Sequence, residues 1–322
     1  MDSRKIKFKL SRFLSYPLVN PQYFMLEITD HCNLKCIMCS SNRCIGHIGL
    51  DTLINLFGQI SNFSKEKKII QLTGGEPLLH PQFKQLSNYI KDDPNIFHLS
   101  SNGILIDNFM EELINFDLLN ISIDGFQESN DLVRGKGTFA RITDNLKKLF
   151  NFINLKGIRL EVCFNILITR HNYATLYALV EYLYGIFPYA KFQLLNVVKS
   201  NSQADLGLDG DLGHIDNPQK LIEEISKIRG FCRSKNCVFF YPEGYLDYLS
   251  TNRYSSWKCY AGYNRLSISA NGDLWICNSS LGNVNNTGLK KIWYSKEARI
   301  FRKKVKQCRS SCFQDCYRYK NI

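Results

Sequence analysis

Residues 23–39 read YFMLEITDHCNLKCIMC. The first seven, Tyr23 to Thr29, are aromatic, β-branched and apolar residues that suit a strand. Three thiols follow at once, Cys32-x3-Cys36-x2-Cys39. A tight thiol triplet leaving the end of a strand is a ligand set rather than a packing motif. Three thiolates on one loop can hold three irons of a cubane cluster and leave the fourth iron open. Zinc is the rival metal. It normally closes four ligands, and Cys44 or His31 stands near enough in sequence to supply the fourth.

Downstream, strand and helix signals alternate. Residues 50–63 place Leu53, Ile54, Phe57 and Ile60 on one helical face. A buried strand over 68–73 runs into Gly74-Gly75-Glu76-Pro77. Helices are expected over 82–91, 107–116 and 138–152, and strands over 96–101, 119–123, 158–168 and 191–197. Asn172 is a plausible N-cap for a further helix carrying Leu176, Leu179, Val180 and Leu183. Six strand–helix repeats in series imply parallel strands with helical crossovers. The fold class is therefore α/β, a partial (β/α)6 barrel. Chemistry in such barrels sits at the C-terminal ends of the strands. The unusual residues stand there: the thiols after the first strand, Gly-Gly-Glu-Pro after the second, Ser101-Asn102-Gly103 after the third and Asp124-Gly125 after the fourth.

Taken in that order, these segments resemble the radical S-adenosylmethionine (SAM) superfamily over roughly residues 23–200. The resemblance implies a [4Fe–4S] cluster on Cys32, Cys36 and Cys39 whose open iron chelates SAM. Reductive cleavage then makes a 5′-deoxyadenosyl radical that abstracts hydrogen from a substrate, with a reductant such as flavodoxin or ferredoxin. It implies that Gly74 and Gly75 allow close approach of the methionine end of SAM, with Glu76 and Pro77 fixing the turn. Ser122 and Asp124 lie two apart and point the same way, as candidates for the ribose. Asn102 is a further candidate. Arg134, in Arg134-Gly135-x-Gly137-Thr138-Phe139, is placed to pair with a carboxylate of SAM or substrate, or to anchor its loop. Met38 stands where relatives often carry an aromatic residue, and its thioether can pack on adenine.

A second thiol group occupies the C-terminal stretch. Cys259-x12-Gly272-x4-Cys277 opens it, and Cys308, Cys312 and Cys316 end it. The first part resembles the opening of the SPASM and twitch domains, which ligate auxiliary iron–sulfur clusters. Five candidate thiols favour the shorter twitch form with one auxiliary cluster, four of the five being ligands. Zinc bound by the same thiols stays open. The expected organisation is a basic arm (1–22), a core barrel (23–200), a linker and helix (201–258) and a small Cys-rich α+β domain (259–322). In the last, 266–270 and 274–278 form a hairpin around Asn271-Gly272, and 289–306 a helix.

Composition sets outer bounds. The chain has 322 residues, 44% of them hydrophobic, so a large core is possible. Twelve cysteines without a signal-peptide pattern point to a reducing, cytoplasmic setting and to cluster or metal ligation rather than disulfides. No apolar run reaches the roughly 20 residues of a membrane span. The net charge of +12 is dispersed, which disfavours a nucleic-acid partner. The six histidines show no metal-ligand spacing.

Of the remaining thiols, Cys163 lies on the fifth strand, which lines the barrel, and Cys232 and Cys237 follow later. Buried cysteine is usually a small apolar residue. In radical epimerisation, however, a thiol returns a hydrogen atom to the substrate radical, and Cys163 is the candidate. The short stretch before the first strand and the short tail favour a small polar substrate, a sugar or aminocyclitol, dehydrogenated or epimerised by an oxidoreductase or epimerase. The alternative is maturation of a ribosomally made peptide by cross-link, thioether or epimerisation. A non-catalytic iron–sulfur or zinc protein on an inactive barrel is the third. The molybdopterin-type cyclase relatives end in Gly-Gly, and this chain ends Tyr319-Lys320-Asn321-Ile322, so that reading is set aside.

Overall fold

The computed structural model describes residues 3–39, 46–197, 212–241, 243–251, 259–277 and 279–307. Helix α1 (Ser3–Leu14) comes first. Six strand–helix units follow: β1 (Tyr23–Thr29) and α2 (Leu50–Ser61); β2 (Ile69–Gly74) and α3 (Phe83–Ile90); β3 (Ile96–Ser101) and α4 (Met110–Leu113); β4 (Leu118–Ser122) with α5 (Gln127–Arg134) and α6 (Thr138–Lys156); β5 (Glu161–Ile168) and α7 (Leu176–Ile186); β6 (Lys191–Asn196) and α8 (Pro218–Lys235). A two-residue strand β7 (Phe239–Phe240) extends the series, followed by α9 (Glu243–Thr251). Strands β1 to β7 pair in chain order, all parallel.

Period-two alternation divides the faces of these strands. Phe24, Leu26, Ile28, Ile70, Leu72, Phe97, Leu99, Phe164 and Ile166 are fully or almost fully buried. They pack beneath the apolar stripes of the helices, such as Leu53, Phe57 and Ile60 of α2 and Ile142, Leu146 and Leu149 of α6. Each such side chain stabilises the fold by about 1.5–3 kcal/mol. The opposite face carries Gln71, His98, Ser100, Asn120, Ser122, Asn165, Lys191 and Gln193. Parallel strands are usually apolar on both faces. Here one face packs under helices and the other is polar, as the lining of an open barrel is.

The C-terminal strands continue the same sheet. Strand β8 (Arg265–Ile268) pairs parallel with β1, and β9 (Asp273–Ile276) and β10 (Ser279–Asn283) follow as an antiparallel meander. Among the described residues the sheet has ten strands, in the order β10-β9-β8-β1-β2-β3-β4-β5-β6-β7. Gly272 makes the β8–β9 turn at φ +86°, where a Cβ would stand 2.4 Å from Asn285 Nδ2.

Several sequence expectations are corrected in detail. The basic arm contains a helix, α1, docked by Arg12, whose guanidinium donates to the carbonyls of Cys259 and Lys306 at 3.2 Å. The helix expected over 107–116 is a short 3-10 turn, Ile106–Asn108, followed by α4. Helix α5 and strand β7 were not foreseen. The helix expected over 289–306 is α11 (Leu289–Trp293) and α12 (Lys296–Gln307), preceded by the one-turn α10 (Val284–Thr287).

Candidate active site

The thiol loop leaves β1 at Thr29, and the end of β2 lies directly against it. The N–H of Gly75 donates to Thr29 O at 2.8 Å and that of Glu76 to His31 O at 2.7 Å. A Cβ on Gly74 would lie 2.0 Å from Thr29 O, and one on Gly75 would lie 2.3 Å from His31 O. The glycine pair thus admits the backbone that feeds the thiols. On the other side, Asp30 is tied by exchange with Gly46, at 2.9 and 3.0 Å.

Within the loop, Leu34 N–H donates to Cys32 Sγ at 3.4 Å and Cys39 N–H to Cys36 O at 3.1 Å. The end of α5 supports it from below. Ile37 N–H donates to Val133 O at 2.9 Å, and Cys36 Sγ stands 3.9 Å from Arg134 O. Cys32, Cys36 and Cys39 are half-buried, and none forms a disulfide. Burial pushes the Cys36 thiol up, and the Arg134 guanidinium opposes that shift. Met38 is half-buried between the last two thiols. Among the described residues, no three His, Cys, Asp or Glu side chains gather around a single-ion position. Thiolates held on separate irons do not need that convergence. The exposed His31 ring stands 3.7 Å from Asp30, and Cys44 lies outside the described residues.

Glu76 is fully buried and serves three donors. Leu78 N–H and Ser101 Oγ reach Oε1 at 3.2 and 2.9 Å, and Asn102 N–H reaches Oε2 at 2.8 Å. Burial raises its carboxyl to about 7, against these donors. Asn102 in turn donates from Nδ2 to Asn33 Oδ1 at 2.7 Å and lies 3.9 Å from Cys32 Sγ. Glu76 therefore positions Asn102, and Asn102 positions the thiol loop. Pro77 opens the buried turn beside them.

Asp124 is fully buried after β4. Leu167 N–H donates to Oδ1 at 2.7 Å, while Oδ2 faces Arg134 Nε at 2.7 Å. The ion pair is close, yet neither atom has an aligned hydrogen bond. Ser122 is half-buried on the polar face, in register with Asn165.

Cys163 lies on that face too, between Asn120 and Lys191 in register. Its Sγ is 3.9 Å from Asn165 Oδ1, and burial pushes the thiol up to about 12, so it stays protonated at neutral pH. Cys232 is buried and Cys237 half-buried at the end of α8, where Cys237 N–H donates to Cys232 O at 2.9 Å. The polar face adds residues that motif reading passed over. Glu27 is raised by burial first and by Asp30 second. His98 is lowered by burial to about 4 and stays neutral. Their signal was present as polar residues alternating with apolar ones inside the strands.

Of the second thiol group, Cys259 and Cys277 stand at the other end of the sheet. Strand β8 starts level with the start of β1, Tyr23 pairing Arg265. Cys259 precedes β8 through a tight turn, and Cys277 follows β9, which returns antiparallel to that end. Seven residues of β1 separate the two levels, about 20 Å. Cys277 holds φ +56°. The Cys259 turn is braced by buried Arg302, which donates to Gly262 O at 2.7 Å and Trp293 O at 2.9 Å. Cys308, Cys312 and Cys316 lie outside the described residues.

The chain matches the family model "Radical SAM superfamily" over residues 26–183 and "Iron-sulfur cluster-binding domain" (SPASM) over 259–317. It is similar to the tungsten-containing aldehyde ferredoxin oxidoreductase cofactor-modifying protein of Pyrococcus furiosus, at 29% identity over 174 residues, 51% of this chain and 49% of that one. The match thus spans about half of that relative. An uncharacterised protein of Methanocaldococcus jannaschii is 26% identical over 84% of this chain and 91% of its own length. Among solved structures, Streptococcus suis SuiB bound to precursor peptide SuiA superposes with a TM-score of 0.71 at 16% identity, over 91% of this chain and 69% of SuiB. The anSMEcpe protein with bound AdoMet and the Cp18Cys peptide does so with a TM-score of 0.62 at 19% identity, over 88% and 83%. These two likenesses establish the shared fold.

Proposed function

We propose, for a chain that belongs to the radical SAM superfamily and carries a C-terminal SPASM domain, that it abstracts a hydrogen atom from a peptide substrate laid along the polar face of the sheet. The observation that carries this reading is the open sheet. Among the described residues its edges are β10 and β7, so the sheet does not close on itself, which supports access of an extended segment to the polar face. The two solved neighbours with bound peptides share this fold over about nine-tenths of the chain, which supports the reading.

A bound [4Fe–4S] cluster and SAM supply a 5′-deoxyadenosyl radical as the hydrogen-abstracting agent. Cys32, Cys36 and Cys39 would hold that cluster, as three thiols on one loop. Glu76 and Asn102 set the loop's position. Gly74, Gly75, Pro77, Met38, Ser122 and the Asp124–Arg134 pair would line the SAM site, as the resemblance implies. Cys259 and Cys277, with partners among Cys308, Cys312 and Cys316, would hold the auxiliary cluster. Flavodoxin or ferredoxin would be the electron donor.

A second reading takes a small polar molecule, a sugar or aminocyclitol, to be dehydrogenated or epimerised. The polar lining and Cys163 favour it. In epimerisation the Cys163 S–H bond breaks, the substrate C–H bond forms on the opposite face, and the thiyl radical left behind takes one electron from the reductant and one proton from water.

The test is anaerobic SAM cleavage by reconstituted, dithionite-reduced protein, with iron counted on the same sample. The expected result is 5′-deoxyadenosine that disappears in Cys32→Ala, Cys36→Ala and Cys39→Ala, with roughly eight irons per chain for two clusters. A random-sequence peptide pool should raise the cleavage rate above the uncoupled level. A rise with sugars or aminocyclitols and not with peptides selects the second reading. No cleavage by iron-loaded protein overturns both.

A further inference from the structure

Among the residues of helix α1 whose side chains are described, the apolar ones face away from the protein core. Its inward side carries Ser11, which is fully buried, accepts from Leu18 N–H at 2.8 Å and donates to Lys7 O at 2.7 Å. Arg12 reaches inward as well. Ile6, Leu10, Phe13 and Leu14 recur at i, i+4, i+7 and i+8 and so form one stripe. That stripe faces solvent, at 46%, 44%, 75% and 45% exposure. Tyr16 and Leu18 extend it, also exposed. A contiguous apolar surface of this kind marks an interaction site.

Its flanks are basic. Exposed Lys7 and Lys9 lie on α1 itself. The neighbouring α12 meets α1 through Lys306, whose ammonium donates to Phe13 O and sits 5.7 Å from the Phe13 ring centroid. Exposed Arg299 and Lys303 recur with Lys306 at i, i+4 and i+7, so the three form one basic ridge along α12. The sequences of the two helices hold five and six Lys or Arg residues against a single acid, Glu297.

We infer that α1 and α12 form a surface that seats this protein on an anionic lipid bilayer, with the α1 stripe entering the headgroup–acyl boundary and the α12 ridge meeting lipid phosphates. An apolar stripe between Lys and Arg is the pattern of an in-plane interfacial helix. Like charge on both helices opposes a second copy of the same face, and a central apolar stripe is ill matched to a nucleic-acid backbone. No helix among the described residues is long and apolar enough to cross a membrane, so attachment is to the surface only.

The experiment is anaerobic co-sedimentation of the reconstituted protein with phosphatidylcholine vesicles, with and without phosphatidylglycerol. Binding is expected only with phosphatidylglycerol present, and it should weaken as salt rises. The Leu10→Glu/Phe13→Glu variant should bind at least about tenfold more weakly. Arg299→Gln and Lys303→Gln should each cost about fivefold, the worth of one charge near an anionic surface. Iron content, thermal melting and SAM cleavage in all three variants should match the parent, which shows that they are folded. Absent vesicle binding, or binding indifferent to these changes, overturns the inference. So does self-association in vesicle-free ultracentrifugation that Leu10→Glu/Phe13→Glu abolishes, since the stripe is then a contact between copies.

Discussion

The backbone N–H of Asn102 donates to Glu76 Oε2 at 2.8 Å. One carboxylate at the end of β2 thereby fixes the residue at the end of β3 whose amide holds Asn33 at 2.7 Å, next to Cys32. The Gly-Gly-Glu-Pro and Ser-Asn-Gly segments are parts of one buried hydrogen-bond chain that ends at the thiol loop.

Glu76 should impose a pH dependence on the apoprotein. Its carboxyl lies at about 7 in the fold against an ordinary 4.5, so the folded state holds the proton more tightly than the unfolded chain. Its contribution to stability is full below about pH 4.5, declines as pH rises and is lost above about pH 7. The span is about 3 kcal/mol. Urea unfolding from pH 4.5 to 8 should show this decline in the parent and a flatter curve in Glu76→Gln. Parallel curves would refute it.

Gly75→Ala should be severe. Its Cβ would lie 2.3 Å from His31 O and 2.6 Å from Asp30 O, both backbone atoms, so the thiol loop itself must shift. The cost should be about 2–3 kcal/mol, read by thermal melting. Iron incorporation at the first cluster should fall with it.

Asp124→Asn should destabilise by about 3–5 kcal/mol, because it strands the largely buried Arg134 guanidinium. Arg134→Gln should cost a similar amount by stranding Asp124. The double variant should lose clearly less than the sum of the two. Additive losses in denaturant titration would mean the two groups act independently.

Cys277→Gly separates ligand from scaffold. Cys277 is an exposed non-glycine residue at φ +56°, a conformation that costs about 1–2 kcal/mol for most residues. Glycine should leave the apoprotein as stable or up to about 1 kcal/mol more stable. It should nonetheless remove roughly four irons per chain if the thiol is a cluster ligand. A destabilised apoprotein with full iron content would assign Cys277 a structural role instead.

Much of this was legible in local pattern. The alternation of Tyr23–Thr29 and its parallel neighbours, the helical stripes and the three-thiol spacing are short-range features, and each follows from period 2, period 3.6 or ligand geometry. The second thiol unit showed itself in the same way, by the spacing around Gly272. Helix α5 was missed because its sequence, QESNDLVR, buries only Asn130 and Val133 and leaves no apolar stripe to read. Helix α1 was read as an arm because its apolar stripe is interrupted by lysines and is turned outward rather than into a core.

By itself, the sequence determined the α/β class, the family, the two thiol groups and the order of the motif segments, because these depend on neighbours a few residues apart. Only the tertiary structure decided that the C-terminal strands join the barrel sheet, that Cys259 and Cys277 stand at the end opposite the first thiol loop, and that Glu76, Asn102 and the Asp124–Arg134 pair converge on that loop. Those facts rest on strand register and buried contacts between residues tens of positions apart. Such contacts are fixed when the whole core packs and leave no periodic trace in the chain.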